Sequence, residues 1–426
     1  MGEQPQRWGM IVGMADSEVV ALFDRVLHHL DTEAAVQLTG ELVRLRTVND
    51  GPTEAGSPPV VEEPVASLVS SLMASFGWEV LRTEAAPGRP NIVGVVQGQG
   101  PGRTLMFEGH SDVVTEGDPA SWSFDPYAGD IVDGNLRGRG SADMKSGIAA
   151  AIWAARGVEL AGFSGRILVG VLADEEGMML GAKHFAASDL AAEVDAVIIC
   201  EPEAGEICTA SKGAIRIRVE MAGKMAHGAM PHQGVNPILA VGPLLMGLGE
   251  LQSALSDRYP AHPTLGEFYL TPTVVEAGTR EQGNVIPEIA AVHLDIRTIP
   301  GIDHDGLITL ITILTEQIAT EAGLRANIII VDDRPPVEIS EDAAVVRALA
   351  LAHEHVVGTP PVYGGVPGTT DGTILTRDAG LPTVVYGPGG KWIAHQVDEF
   401  VAVSDIVEST KVFALAAASF LSASAL

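Results

Sequence analysis

The sequence has 426 residues, more than one hydrophobic core usually organises, and this length predicts two or three domains. It carries 26 Lys+Arg against 55 Asp+Glu, and the net charge of -29 argues against a protein that binds nucleic acid or anionic membranes. The two cysteines are too few for a disulfide framework, so we expect a cytoplasmic protein.

Both ends of the chain have a pattern that bears on its location. The first fifteen residues hold one arginine and no sustained apolar stretch, which is not the pattern of a secretory signal. The apolar stretch at residues 412–426 is broken by serines and is shorter than the roughly 18 to 20 residues that span a bilayer. It therefore predicts a packed terminal helix.

The first half of the chain alternates short apolar runs with helical patterns. Residues 16–46 and 64–76 show helical spacing, and a loop rich in glycine and proline separates them. Strands are then predicted near residues 91–96, 104–108, 167–172 and 196–200. Helices are predicted near residues 145–160 and 181–187. This alternation is typical of an α/β protein whose mainly parallel, doubly wound sheet carries helices on both faces.

The pattern changes between residues 212 and 332. Strands near residues 215–219, 290–296 and 326–331 alternate apolar with polar residues, and helices are predicted at residues 237–251 and 306–322. This predicts an inserted α+β domain with one exposed sheet face. Residues 1–211 and 333–426 are predicted to form one discontinuous catalytic domain, which resumes with a helix at 342–357, a strand at 383–386 and the terminal helix from about 405.

Histidine and carboxylate side chains follow several of these apolar runs. They are His110, Asp112, Asp143, Glu175, Glu176, Glu201 and His395. In an open α/β sheet the carboxyl ends of neighbouring strands converge on one crevice, so residues far apart in sequence meet there. The sequence thus predicts one cluster of acidic and imidazole groups.

A cluster of this composition predicts a metal site. Histidine, aspartate and glutamate without cysteine favour zinc, cobalt or manganese. Five ligands exceed what one tetrahedral ion with an open position uses, whereas two ions that share one aspartate would use them all. Such a pair lowers the pKa of a bound water toward about 7, and the resulting hydroxide can hydrolyse a substrate. We expect two divalent ions, with zinc as the first choice.

Short motifs occur in a fixed order along the chain. They are His110-x-Asp112, Gly138-Arg139-Gly140-Ser141-Ala142-Asp143-Met144-Lys145, Glu175-Glu176-Gly177, Glu201-Pro202 and His395-Gln396-Val397-Asp398-Glu399. Together they resemble the motifs of the dinuclear metallohydrolases that include aminoacylase, acetylornithine deacetylase, succinyl-diaminopimelate desuccinylase and carboxypeptidase G. The glutamate at position 201, where the aminopeptidase branch has aspartate, is similar to the deacylase and carboxypeptidase branches.

The resemblance implies which side chains hold the ions. Asp143 would bridge both metals. His110 and Glu201 would complete one ion, and Glu176 and His395 would complete the other.

The same resemblance implies the roles of two neighbouring carboxylates. Glu175 would be the general base, which takes the proton of the attacking water and returns it to the departing nitrogen. Asp112 would accept the other ring N–H of His110 and so fix the orientation of that imidazole.

The insert resembles the lid and dimerisation domain of that family. His227 matches a histidine that enters the active site of the partner subunit and stabilises the tetrahedral oxyanion. Asn284 and Arg297 match residues that bind the substrate carboxylate, for which a guanidinium is well shaped. Thr370 and Gly389 lie in stretches that resemble loops of the specificity pocket.

Other interpretations of these residues stay open at this point. Arg297 could pair with Asp295 or Asp303, and His227 could be a surface histidine of the lid. The same metals could serve hydrolysis of a ureido group, a formamide or an aromatic amine. A binding protein without catalysis is a further alternative, which Glu175 and the complete ligand set disfavour.

We interpret the sequence as a cytoplasmic amidohydrolase with two divalent metals. It would cleave the amide of an N-acyl amino acid, or of a small peptide-like substrate with a free carboxylate. The expected assembly is a homodimer formed through the lid domain, with neither nucleic acid nor membrane as a partner.

Overall fold

A computed structural model describes residues 16–49 and 62–422 of the chain. The predictions for the first fifteen residues and for nearly all of the loop at 49–59 lie outside the described residues, as do the last four residues. The described α-helices are α1 (Asp16–His28), α2 (Thr32–Val43), α3 (Glu63–Ser75), α4 (Ser146–Ala161), α5 (Leu180–Ala186), α6 (Ile238–Arg258), α7 (His304–Glu321), α8 (Ala344–Val357), α9 (Asp371–Ala379) and α10 (Val403–Ser422).

Strands occur between most of these helices. The described strands are β1 (Glu79–Ala86), β2 (Arg89–Gln97), β3 (Thr104–His110), β4 (Ile131–Val132), β5 (Asn135–Arg137), β6 (Arg166–Leu172), β7 (Ala196–Ile199), β8 (Ile207–Ser211), β9 (Gly213–Ala222), β10 (Ala226–His227), β11 (Tyr269–Ala277), β12 (Val285–Ile286), β13 (Ile289–Thr298), β14 (Arg325–Arg334), β15 (Val337–Glu338), β16 (Tyr363–Val366), β17 (Thr383–Val385) and β18 (Phe400–Ala402).

The chain divides into two compact units. The first comprises Met1–Thr209, Ile339–Gly364 and Thr370–Leu426, and the second comprises Ala210–Glu338 and Gly365–Thr369. The segment 212–332, which we predict to be an insert, lies within the second unit. Its role as a lid and dimerisation domain stays a prediction.

The first unit is built on a sheet whose strand order is β1-β2-β6-β3-β7-β17, with β8 beyond β17. The strands β6, β3, β7 and β17 are parallel to one another, and β1 and β2 add an antiparallel edge. The central strands are almost wholly buried, as β3 is along its whole length. Sheets of this type, flanked by helices, have strands that are apolar on both faces. The predicted fold class is confirmed.

Helices α4 and α10 form much of the core of this unit. Eleven of the sixteen residues of α4 are buried, and its alanine-rich sequence lets it approach the sheet closely. A Cβ atom at Gly147 would lie 2.0 Å from the carbonyl oxygen of Cys200, so a residue with a side chain does not fit there. In α10, residues 412–421 are buried, which confirms the prediction of a packed terminal helix.

The second unit has a four-stranded antiparallel sheet with the order β11-β13-β9-β14. In β9, Ile215 and Ile217 pack in a core with residues of α6 and α7, whereas Arg216 between them is exposed. This alternation is typical of a sheet with one solvated face. Helix α6 meets the length and composition criteria for a helix that could cross a bilayer. The core helices of soluble proteins also meet both criteria.

Candidate metal centre

The cluster predicted from the sequence lies in the first unit, where strands of the parallel sheet end. His110 is the last residue of β3, and Glu175 and Glu176 follow β6 after two further residues. Glu201 follows β7, and Asp143 lies in an irregular helical turn, Ser141–Lys145, that leads into α4. The sheet thus brings together side chains from separate crossover connections, as expected for an open α/β sheet.

His395 comes from the loop between β17 and β18 and has a φ of 63°, a conformation that is uncommon for a residue other than glycine. Its Nε2 atom lies 3.1 Å from Oδ2 of Asp143 and 2.9 Å from Oε1 of Glu176. Backbone strain of this kind is often found where a side chain must be placed for function.

A second set of contacts is centred on His110. Its Nε2 atom lies 3.1 Å from Oδ1 of Asp143 and 3.4 Å from Oε1 of Glu201. Asp143 therefore presents one carboxylate oxygen to each histidine. This is the arrangement expected of a carboxylate that bridges two metal ions, with a histidine and a glutamate on either side.

The donor set fits divalent metal ions. Ligand atoms of His110, Asp143 and Glu176 lie within 4.8 Å of one another, as do those of His110, Glu175 and Glu201. Imidazole nitrogens and carboxylate oxygens without thiolates suit zinc, cobalt or manganese.

Burial and mutual repulsion govern the ionisation of this cluster. Burial, followed by the charge of Asp143, raises the pKa of Glu201 to about 8. Burial also raises the pKa of Glu175 and of Glu176. Hydrogen bonds to Asp143 and Glu176 raise the pKa of His395 to about 11. Divalent cations would relieve this crowding of carboxylates, since a bound ion is the largest local charge in such a site.

Asp112 contacts both His110 and the Glu175–Glu176 pair. The Nδ1 atom of His110 lies 2.9 Å from the backbone carbonyl oxygen of Asp112 and 3.7 Å from its Oδ1 atom. The carboxylate accepts hydrogen bonds from the backbone N–H groups of Glu175 at 3.1 Å and Glu176 at 3.2 Å. In this geometry the carbonyl group orients the imidazole, and the carboxylate fixes the turn that carries the two glutamates.

Glu399 supports Asp143 from behind, a role that sequence reasoning missed although Glu399 ends one of the motifs. Its Oε1 atom accepts hydrogen bonds from the backbone N–H groups of Ala142 at 3.0 Å and Asp143 at 3.2 Å. Its Oε2 atom pairs with the buried guanidinium of Arg139. The turn that presents Asp143 is thus held by a buried ion pair.

A further polar group lies behind the Glu175–Glu176 turn. Asn49, Arg89 and Asp174 are linked to each other and to Asp112 by hydrogen bonds and an ion pair. The sequence offered no signal for this group, because none of its contacts follows from local spacing.

Three of the predicted site residues lie in the second unit. His227 is exposed in β10, and its Nδ1 atom accepts a hydrogen bond from the backbone N–H of Ala229 at 3.0 Å. The carbonyl oxygen of Asn284 accepts a hydrogen bond from the backbone N–H of Gly228 at 2.7 Å. The guanidinium of Arg297 forms two hydrogen bonds with Asp295, at 2.7 and 3.1 Å, which is one of the two alternative pairings considered for it.

Thr370 and Gly389 lie in the first unit. Thr370 is buried and precedes α9, where its hydroxyl accepts a hydrogen bond from the backbone N–H of Gly372. Gly389 has a φ of 98°, and its carbonyl oxygen accepts a hydrogen bond from the backbone N–H of Ala204 at 2.8 Å. A Cβ atom at Gly389 would lie 3.2 Å from the Cβ atom of Ala142, so the loop passes close to the Asp143 turn.

Comparison with known proteins identifies relatives over most of the chain. The family model of peptidase family M20/M25/M40 matches residues 106–419. The acetylornithine deacetylase of Vibrio vulnificus is 32% identical over 367 residues, which cover 85% of this chain and 91% of the relative. The succinyl-diaminopimelate desuccinylase of Phenylobacterium zucineum is 31% identical over 397 residues, which cover 89% of this chain and 96% of the relative.

A solved structure has the same fold. The Bacillus subtilis YXEP protein, described as a dinuclear metal binding peptidase from the M20 family, matches with a TM-score of 0.68 and 16% sequence identity. The match covers 95% of this chain and 99% of that structure. The family model and the two relatives confirm the family resemblance and the assignment as an enzyme. The chain belongs to peptidase family M20/M25/M40 and is a hydrolase of that family.

Proposed function

We propose that the protein is a metal-dependent amidohydrolase that cleaves a C–N bond of a small substrate with a free carboxylate. An N-acyl amino acid, or a short peptide-like molecule, fits this description. The observation that carries the proposal is the position of Asp143, whose two carboxylate oxygens each lie 3.1 Å from a different histidine. The relatives named as a deacetylase and a desuccinylase support an acyl group as the part removed.

We assign the two ions to the two halves of the cluster. His110 and Glu201 would hold one ion, His395 and Glu176 would hold the other, and Asp143 would contact both. Zinc is our first choice, with cobalt or manganese as alternatives, because the donors are imidazole and carboxylate groups.

Glu175 is the proposed general base. Bound ions would supply an acidified water and would polarise the scissile carbonyl group. The carboxylate of Glu175 would take the proton of the attacking water and later deliver it to the departing nitrogen. The two backbone hydrogen bonds between the Glu175–Glu176 turn and Asp112 would keep that carboxylate in place.

The substrate contacts are proposed from the second unit and from two loops of the first. His227 would stabilise the oxyanion in the active site of a partner subunit. Asn284 and Arg297 would bind the substrate carboxylate, and Arg297 would then exchange its pairing with Asp295 for the substrate. Thr370 and Gly389 would line the pocket that selects the acyl or side-chain group. The proposed assembly is a cytoplasmic homodimer formed through the second unit.

The test uses purified protein stripped of metal with a chelator and then supplied with zinc, cobalt or manganese. N-acetyl, N-succinyl, N-formyl and N-carbamoyl amino acids and dipeptides form the substrate panel, and release of the free amine is measured. We expect activity to disappear with the chelator and to return with metal on the N-acyl amino acids. Full activity in chelated, metal-free protein would refute the proposal. Turnover of the formyl or carbamoyl compounds alone would move the reaction to another C–N bond.

A further inference from the structure

The turn that carries Glu175 and Glu176 rests on a buried group of polar side chains. Arg89, at the start of β2, forms an ion pair with Asp174 at 2.6 Å. Asn49 lies between Asp174 and Asp112, and it joins the two aspartates that flank this turn in space. Arg89, Asp112 and Asp174 are buried, so these contacts are poorly screened by water.

Both the nitrogen and the oxygen of the Asn49 side-chain amide form hydrogen bonds. Its Nδ2 atom donates to Oδ2 of Asp112 at 2.7 Å and to Oδ1 of Asp174 at 2.9 Å. Its Oδ1 atom accepts a hydrogen bond from Nη2 of Arg89 at 3.3 Å. A side-chain amide has two N–H donors on nitrogen and an accepting oxygen, and in Asn49 the donors face two carboxylates while the oxygen faces a cation. The reverse orientation of the amide would place its oxygen against both carboxylates.

The two aspartates in turn hold the backbone of the Glu175–Glu176 turn. Asp112 accepts the N–H groups of both glutamates. Asp174 precedes them with a φ of 71°, and its Oδ2 atom accepts the N–H groups of Met178 at 3.1 Å and Leu180 at 3.4 Å. The backbone is thus fixed before and after the glutamates by carboxylates that share one amide nitrogen.

The position of Asn49 itself is set by its backbone. Its backbone N–H group donates a hydrogen bond to the carbonyl oxygen of Val113 at 2.8 Å. The backbone N–H group of Val113 donates a hydrogen bond to the carbonyl oxygen of Thr47 at 2.9 Å. Val48 and Val113 form a parallel bridge. A substitution of the Asn49 side chain therefore leaves the backbone anchor of this segment in place.

We infer that Asn49 is a positioning residue for the general base Glu175, acting through Asp112 and Asp174. Without its amide, the carboxylates of Asp112 and Asp174, which both lie within 2.9 Å of one nitrogen atom, would face each other without the donor that links them, and of the two only Asp174 would pair with Arg89. Their repulsion would loosen the turn and move the carboxylate of Glu175 away from the attacking water. This inference rests on the proposed function, in which Glu175 is the base.

The experiment compares Asn49→Ala, Glu175→Gln and the double variant at saturating metal and substrate. We expect Asn49→Ala to lower kcat about 10- to 100-fold, the usual effect of losing a residue that orients a catalytic group, with KM within about twofold. Because Asn49 acts through the base, the double variant should be no slower than Glu175→Gln alone.

The outcomes separate the two claims. Full activity of Glu175→Gln would refute the proposed base, whatever Asn49→Ala does. An inactive Glu175→Gln together with wild-type kcat in Asn49→Ala would overturn the inference about Asn49. A double variant slowed by the product of the two single effects would also overturn it, because Asn49 would then act independently of Glu175.

Two further variants complete the design. Asn327→Ala is the matched control, since Asn327 also places its amide on a carboxylate, that of Glu220 at 3.0 Å, in the second unit. It should leave kcat unchanged. Asn49→Ser keeps one donor and should give a kcat between those of wild type and Asn49→Ala. If Asn49→Ala does not fold, a reduced kcat in Asn49→Ser supports the inference and a wild-type kcat overturns it.

Discussion

The Oε1 atom of Glu399 lies 3.2 Å from the backbone nitrogen of Asp143, so a residue near the end of the chain fixes the turn that presents the proposed bridging aspartate. The same carboxylate pairs with Arg139, and both side chains are buried. The geometry of the cluster therefore depends on an ion pair between residues 260 positions apart.

Replacing Glu399 by Ala should destabilise the protein by about 3 to 5 kcal/mol, because it leaves the buried guanidinium of Arg139 without its partner. The free energy of unfolding in urea is the measurement. An Arg139→Met/Glu399→Ala double variant should lose less than the sum of the single losses, since no buried charge is then orphaned.

The control for this prediction is an exposed ion pair. Glu193 pairs with Arg166 at 2.7 Å and is 56% exposed, so Glu193→Ala should cost less than about 1 kcal/mol. Equal losses at Glu193 and Glu399 would show that burial adds nothing to the Arg139–Glu399 pair.

Replacing Glu175 by Gln should lower kcat by about 100- to 10,000-fold, because the amide cannot accept the proton of the attacking water. Metal content, measured by mass spectrometry, should be unchanged, since Glu175 is not among the five proposed ligands. Glu84→Gln, at an exposed pair with Arg82, is the control and should leave both quantities unchanged. Wild-type turnover in Glu175→Gln would remove Glu175 from the mechanism.

Replacing His227 by Ala should lower kcat by about 100- to 1,000-fold, the usual effect of losing one donor to an oxyanion, and should leave metal content unchanged. Mixing this variant with Glu175→Gln subunits tests whether a site is shared. Mixed dimers would contain one site with an intact Glu175 and an intact His227, so part of the activity should return. Mixtures that stay inactive after subunit exchange would contradict the shared site.

The pH dependence of stability should include a contribution from His353. This residue lies in α8 with its Nδ1 atom 3.2 Å from the hydroxyl of Tyr386, and burial lowers its pKa. Because the folded-state pKa is depressed, the contribution of His353 to the free energy of unfolding is present above the ordinary histidine pKa. It is lost as the pH falls through the folded-state pKa. His353→Gln should therefore lose less stability than wild type between pH 7.5 and 5.5, as measured by urea unfolding at each pH. Identical pH dependence in the two proteins would contradict this assignment.

Much of the catalytic sheet could be predicted from sequence because its central strands are short apolar runs buried on both faces. The edge strands β1 and β11 were missed for the opposite reason. Much of β1 is exposed, and β11 contains Pro272 and is exposed at nearly every position. Without a buried face neither strand has a period of apolar residues to detect.

The cluster of candidate ligands could be predicted because each of its residues lies in a recognisable motif at a strand end or tight turn. The groups that hold these ligands could not. Asn49 meets Asp112 and Asp174 through contacts 63 and 125 residues apart, and Glu399 meets Arg139 across 260. Such pairings depend on the packed structure, and neither periodicity nor local spacing contains them.

His395 lies far along the chain from the other four proposed ligands, which are complete by residue 201. During synthesis, a nascent chain that has emerged only as far as Glu201 would carry the histidine and both carboxylates proposed for one ion, but would lack the imidazole proposed for the second. Both ions could then bind only after the C-terminal third of the protein has been synthesised and has folded onto the sheet.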